Sequence, residues 1–344
     1  MHTPETIRDR ETPVFIGRKS TSGFARLWVV ALAGVLPFGP AFAAPADYPS
    51  APIKIIVPYA PGGGADTFAR ALGQQLSKSL GQPVVIDNRS GASGNIGAEA
   101  VARAEPDGHT LLYATSVLAL SRLLAPNLRF DPQRDLAPVT MTVSIPQVLV
   151  VHPSVAAATV KELVVESKKR PGELTFSSGG HGSAGHFAFE LLRQQSGIDA
   201  RHIPYRGAAP ALNAVLGGEV QLAFLVPPLA QQYIKSGKLR ALAVSSLERS
   251  SVLPDVPSLH ELGYANYEAL QWQGFFVPAK TPPAIVERLH GAITDALAQP
   301  QVRALLANEG AEIVGSTPQA FAAAFKDETA KWTEVAKRTG MKFE

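Results

Sequence analysis

Two glycine-rich turns constrain this chain more than any other feature. Pro58-Tyr59-Ala60-Pro61-Gly62-Gly63-Gly64-Ala65-Asp66 follows the short apolar run Ile53-Lys54-Ile55-Ile56-Val57, and Ser177-Ser178-Gly179-Gly180-His181-Gly182-Ser183-Ala184-Gly185-His186 follows Leu174-Thr175-Phe176. Each turn leads into apolar residues at helical spacing: Phe68, Ala71, Leu72 and Leu76 after the first, Ala184, Phe187, Leu191 and Leu192 after the second. Gly81 reads as a helix stop, and Pro83-Val84-Val85-Ile86 completes a strand–helix–strand unit over residues 53–86. Short β-branched runs of this kind suit strands buried in parallel sheets. Further strand candidates are residues 111–114, 148–151, 220–224 and 239–244, with a helix starting at Pro210 and carrying Leu212, Val215 and Leu216. The C-terminal part reads as mainly helical. Thr281 caps a helix with Pro282 in its first position, and Thr317-Pro318 repeats the device ahead of Phe321, Phe325 and Trp332. Alternating strands and helices predict an α/β fold with parallel sheets. One glycine turn in each half predicts two similar lobes with a cleft between them.

The length of 344 residues leaves room for two domains, and 46% hydrophobic with 18% charged residues can build real cores. The absence of cysteine removes disulfides, thiolate metal sites and thiol catalysis together. A formal charge of +3 comes with no basic stripe, so nucleic acid is not an expected partner. The cationic run Lys168-Lys169-Arg170 precedes Pro171-Gly172 and reads as a solvated helix end. At the N-terminus, Arg18, Lys19 and Arg26 precede the apolar stretch Leu27–Leu36, which ends near Ala41-Phe42-Ala43. A basic flank, a short apolar core and an A-x-A site predict a signal peptide over residues 1–43, cleaved near Ala43, and a periplasmic protein. The stretch is shorter than the roughly 20 apolar residues a membrane span needs. Glu5, Asp9 and Glu11 lie ahead of it and point to a translational start further downstream.

Glycine-rich strand-to-helix turns let backbone N–H groups approach an anion. The first turn lacks the Gly-Lys-Ser/Thr end of a phosphate loop, and Ala65 and Thr67 stand where a dinucleotide fingerprint has glycine. Its other reading is a tight turn in which Asp66 only caps a helix. The second turn offers hydroxyls and a helix start. It also permits an exported serine hydrolase with Ser183 as nucleophile and His186 as base, but His181 occupies the position where a nucleophile elbow needs glycine. His181 and His186 are five apart, off the spacing of a helical zinc pair, and have no evident carboxylate partner. Catalysis and metal binding are therefore not expected. Tyr205-Arg206-Gly207 places a phenol and a cation at a strand end, and Trp272, Phe275 and Phe276 read as core or as cleft wall.

Ordered motifs extend over the chain from Tyr48 onward: Ile56-Val57-Pro58 with Pro61-Gly62-Gly63 and Asp66, Gly81-Gln82-Pro83-Val84-Val85, Asn88-Arg89, Gly94-Asn95-Ile96-Gly97, Pro106-Asp107-Gly108 and Thr115-Ser116. They continue with Gly182-Ser183, His186, Glu190, Pro204-Tyr205-Arg206-Gly207, Leu216-Gly217-Gly218, Gly237-Lys238-Leu239-Arg240-Ala241-Leu242-Ala243 and Leu253-Pro254-Asp255-Val256-Pro257. Together these resemble the Bug-type periplasmic solute receptors of tripartite tricarboxylate transporters. The resemblance implies a two-lobed, type II periplasmic-binding-protein fold, with residues 44–146 plus 270–344 in lobe one and 147–269 in lobe two. It implies a small carboxylate in the cleft, held in part through ordered water by Tyr59, Gly62, Gly63, Asp66, Thr115 and Ser116 from lobe one. From lobe two it implies His181, Gly182, Ser183 and Tyr205. No cofactor is implied. The partners would be the carboxylate and membrane transporter subunits, or a sensor kinase, and the receptor would be a monomer.

One departure bears on the ligand. Where many relatives carry an Asp-Asn pair after the strand ending at Phe224, this chain has Leu225-Val226 followed by Pro227-Pro228. With no polar reader for the distal end, Leu225 is expected to face an apolar or aromatic carboxylate rather than an amino acid. Trp272 and Gln273 stand near the expected hinge.

Overall fold

A computed structural model describes residues 48–339. The first group of elements is β1 (Ile53–Val57), α1 (Gly64–Leu80), β2 (Val84–Asn88), α2 (Asn95–Ala102), β3 (Thr110–Thr115), a 3₁₀ turn (Ser116–Leu120), the single-turn helices α3 (Ser121–Leu124) and α4 (Pro132–Asp135), and the long strand β4 (Leu136–Ile145). The second group is β5 (Val148–Val151), α5 (Val160–Lys169), β6 (Thr175–Ser178), α6 (Ala184–Ser196), β7 (Arg201–Pro204), α7 (Ala208–Leu216), β8 (Leu222–Leu225), α8 (Pro227–Lys235) and β9 (Arg240–Val244). The chain returns through β10 (Gln271–Pro278), α9 (Pro283–Leu297), α10 (Pro300–Asn308), β11 (Glu312–Ile313) and α11 (Pro318–Thr339). The expected signal peptide lies outside the described residues.

These strands form two sheets. The first runs β11-β4-β10-β3-β1-β2 and the second β7-β6-β8-β5-β9. In the first, β1 pairs in parallel with β2 and β3, and β10 returns antiparallel between β3 and β4. In the second, β6 pairs in parallel with β7 and β8, and β5 lies antiparallel between β8 and β9. Both sheets are covered on both faces, which is why their parallel strands read as near-continuous apolar runs. α1, α9 and α10 bury Phe68, Leu72, Leu289 and Ile293 on one face of the first sheet, while α2 and the first half of α11 bury Val101, Phe321 and Phe325 on the other. α5 and α6 cover one face of the second sheet, α7 and α8 the other. The chain crosses between sheets at Pro146-Gln147 and again over residues 245–270.

α11 belongs to both sheets. Its Phe321 presses so closely on β10 that a Cβ at Gly274 would fall 2.6 Å from the ring and 2.8 Å from the Thr140 carbonyl oxygen. Two turns beyond Phe325, Trp332 and Val335 enter the core of the second sheet, and the Trp332 ring lies 5.0 Å from that of Phe187 on α6.

The structure differs from the sequence reading at β4, β10 and β11, which that reading did not place, while β7 ends at Pro204, just before Tyr205 as read. A proline inside a run argues against a central strand, yet β4 contains Pro138 and lies between β10 and β11. It is tolerated because β11 pairs only with Val143 and Ser144 and leaves the Pro138 end of that edge without a ladder. The cap at α9 also shifts by one residue. Pro282, which precedes Pro283, is barred from the helical region, sits at ψ 136° and takes the cap position itself, so the Thr281 hydroxyl makes no bond. At α11 the same device works as read, with the Thr317 hydroxyl accepting the Ala320 N–H at 3.2 Å.

Candidate functional site

Between the two sheets lies a cavity of 250 Å³. Its walls come from places where chain segments begin. Ser116 and Val117 open the 3₁₀ turn after β3, Ser183, Ala184 and Gly185 open α6, Gly207 and Ala208 open α7, and Val226 precedes α8, whose first two positions, Pro227 and Pro228, offer no N–H. The N–H groups of a helix's first turn have no acceptor inside the helix and carry its positive dipole end. Several such ends aimed at one space make a site for an anion. The caps hold these starts in place. The Thr115 hydroxyl accepts the Val117 N–H at 3.4 Å, and the Ser183 hydroxyl accepts the His186 N–H at 3.4 Å. Gly185 lets α6 lie directly on β8, since a Cβ there would fall 2.7 Å from the Phe224 carbonyl oxygen.

Of the residues expected from sequence, Ser116, Ser183 and Leu225 line the cavity. Tyr59 and Thr115 stand together on the first-sheet side, their hydroxyls 2.7 Å apart. Gly62 and Gly63 are exposed at the start of α1, and Gly63, not Asp66, holds the cap position. Asp66 is buried in the first turn. Its carboxylate accepts the Gly62 N–H at 2.9 Å, Arg70 Nε at 3.0 Å and Asn88 Nδ2 at 2.9 Å, so it fastens the glycine turn rather than facing the cavity. The Arg70 guanidinium, with Gly62 and Asn88, lowers its pKa to about 2. Gly182 is buried against Leu124 of α3, and the half-buried Tyr205 donates its backbone N–H to the Ser178 carbonyl, away from the lining.

The sequence reading missed Gln147, which lines the cavity from the first crossover, Gln271, which lines it from the start of β10, and Phe224, which lines it beside Leu225. Gln147 occupies a two-residue link that only the pairing of β4 and β5 into different sheets reveals as a crossover. Near β10 the reading singled out Trp272 and Gln273. Gln271 lines the cavity instead; strand alternation turns Trp272 to the other face, among Phe276, Phe321 and Phe325, and Gln273, on the face of Gln271, is buried outside the lining.

His181 is exposed beside this site and meets His186 and, from β7, His202, a residue the sequence did not single out. Their ligand-capable nitrogens lie within 4.8 Å of one another. As arranged they do not converge on one ion. The His186 and His202 rings stack at 4.0 Å and 12°, so their in-plane lone pairs run side by side, and His186 Nδ1 already accepts the Gly182 N–H at 3.1 Å. That bond leaves Nε2 to carry the proton of the neutral ring. The hydrolase reading fails on the same geometry, because the His186 ring engages Gly182 rather than the Ser183 hydroxyl it would have to activate. The histidines extend a ring stack, with Phe176 at 4.6 Å from His202 and Phe189 at 3.8 Å from Phe176.

Burial, with the neighbouring histidines, lowers His186 to about 3 and His202 to about 4. A histidine whose folded pKa lies below its unfolded value stabilises the fold above pH 6.5 and loses that contribution as pH falls toward the folded value. His186→Asn keeps an acceptor for Gly182 and removes one titrating ring. Between pH 7 and pH 5 the wild type is expected to lose about 2 kcal/mol more stability than this variant, read from denaturant melts at both values. Glu190 and Glu328, raised by burial, titrate with the opposite sign but are common to both proteins. A difference independent of pH would show that the ring is not held neutral.

Two α/β lobes around a helix-capped, anion-accepting cleft define the class of extracytoplasmic solute-binding proteins. The particular family is shown by comparison: residues 68–341 match the family model of the tripartite tricarboxylate transporter family receptor, TctC, and the chain belongs to that family. It is similar to Protein BugT of Bordetella pertussis, 39% identical over 297 residues, covering 86% of this chain and 91% of that protein. Among solved structures it is similar to Rpa4515 of R. palustris with adipate, at 34% identity and a TM-score of 0.72, covering 86% of this chain and 99% of that one. It is also similar to MatC of Rhodopseudomonas palustris with bound malate, at 31% identity and a TM-score of 0.67, covering 84% and 99%. The family consists of periplasmic solute-binding receptors, not enzymes.

Proposed function

We propose that this chain is exported by a signal peptide at residues 1–43, cleaved near Ala43, and acts as a monomeric receptor. It captures a small organic carboxylate between lobe one (44–146 plus 270–344) and lobe two (147–269) and delivers it to the membrane subunits of a tripartite tricarboxylate-type transporter. The observation that carries this reading is the convergence of helix starts from both sheets on one 250 Å³ cavity. Adipate and malate in the neighbouring structures support a carboxylate as the solute. Ser116 and Ser183 supply hydroxyl donors. Gly179, Gly185 and Gly207 supply backbone that can approach the anion closely. Tyr59, Thr115, Gly62 and Gly63 shape the lobe-one side, with His181, Gly182 and Tyr205 supporting the lobe-two turn and Asp66 supporting the lobe-one turn.

The test is to unfold, dialyse and refold the mature protein, then melt it against mono-, di-, tri- and aromatic carboxylates. A ligand that binds only the folded state, present at 100 times its dissociation constant, adds about 2.7 kcal/mol. A silent panel would remove the carboxylate from the reading. Capture of the purified receptor by the transporter's membrane subunits, strengthened by the ligand, tests the delivery step.

A further inference from the structure

Charge is distributed unevenly around the cavity. Its donors are all neutral: hydroxyls of Ser116 and Ser183, amides of Gln147 and Gln271, and helix-start N–H groups. None of the described residues lining it is lysine, arginine or histidine. Backbone dipoles and hydroxyls can hold one carboxylate without a full countercharge, as charge-assisted hydrogen bonds at helix N-termini do. The apolar part of the lining is Phe224, Leu225 and Val226. Phe224 and Leu225 are each 3% exposed and belong to the apolar cores of lobe two. A second carboxylate directed at that part would lose its water and find neither cation nor donor, which is the costly case for a buried charge.

We propose that this receptor selects singly charged carboxylates with an uncharged, apolar far end, and discriminates against dicarboxylates of the same length. The proposal rests on the carboxylate-receptor reading above and names its substrate class. The charge count sets the selection: neutral donors that can hold one carboxylate, and no cation in the lining to pair with a second. Arg206 adjoins the lining residue Gly207 in sequence, but it is exposed and outside the cavity.

The experiment titrates the refolded, ligand-stripped protein calorimetrically with matched pairs, hexanoate against adipate and benzoate against terephthalate. Each monocarboxylate is expected to bind at least about tenfold more tightly than its dicarboxylate partner. Equal or tighter binding of the dicarboxylates overturns the inference and leaves the receptor reading standing, whereas no binding by any of the four acids overturns both. Val226→Lys places an ammonium on the half-buried edge of the apolar wall. In that variant, checked for an unchanged melting transition without ligand, the ratio is expected to move toward the dicarboxylates, and an unmoved ratio counts against the inference. Arg206→Ala is expected to leave the ratio as it is. If it instead lowers dicarboxylate affinity selectively, the exposed guanidinium reads the distal end and the inference falls.

Discussion

Asp66→Ala is expected to destabilise the protein by about 1–3 kcal/mol and to weaken carboxylate capture, although the side chain does not line the cavity. Asp66 is 4% exposed and its carboxylate joins three groups: the Gly62 N–H in the turn, Arg70 one helical turn further on, and Asn88 at the end of β2. Removing it leaves Arg70 and Asn88 bonded to each other at 2.9 Å and Asn88 to the Tyr59 carbonyl, but cuts both from Gly62 in the turn. It also frees Gly62, whose φ of +86° is otherwise pinned by that one bond. Because the folded pKa of Asp66 is depressed to about 2, its contribution is complete above the unfolded value near 4 and fades as pH falls below it. Denaturant melts at pH 7 should show the full loss, and variant and wild type should converge between pH 4 and pH 2. A variant as stable as wild type at pH 7 would refute the role assigned to this carboxylate.

Trp332→Ala should cost a similar amount or more, about 3–5 kcal/mol, the range for emptying a buried tryptophan site. Trp332 is 3% exposed and packs in the second sheet's core while its helix is anchored on the first through Phe321 and Phe325. Its indole N–H also donates to Glu328 at 3.0 Å, and Trp272 donates to the same carboxylate. The substitution therefore opens a void and takes one of two indole donors from a buried carboxylate. The measurement is equilibrium unfolding followed by both near-ultraviolet and far-ultraviolet signals. If the second sheet is tied to the rest through α11, the near-ultraviolet transition should shift to lower denaturant. An unchanged midpoint would mean that the site refills.

Much of this architecture is legible in residue order. The runs at Ile53–Val57 and Val148–Val151 are strands because they are short, apolar and β-branched, and Gly81 ends α1 in the left-handed region at φ +69° as its position suggests. β10 escaped because Gln271, Gln273 and Gly274 interrupt its apolar pattern. Gln271 serves the cavity and Gly274 the close approach of Phe321, so the tertiary role erased the local signal. The same holds for the site. Ser116, Ser183 and Leu225 stand at strand ends or helix starts and could be found from that alone. Gln147 and Gln271 could not, since their place depends on which sheet each neighbouring strand joins. Asp66 was found for the right turn but with another role, because a side chain three residues inside a helix can bond backward as readily as outward. His202 carries no local sign at all. Only the pairing of β7 beside β6 brings its ring onto Phe176 and His186.

The division of α11 between the two cores also affects the order of assembly. Every strand of the second sheet has been synthesised by Val244, yet the core beneath α6 still lacks Trp332 and Val335. A chain that emerges from its N-terminus therefore holds five complete strands and an unfilled interior until almost its last residues arrive. Trp332 and Val335 are thus the latest residues to join a core whose five strands are already in the chain.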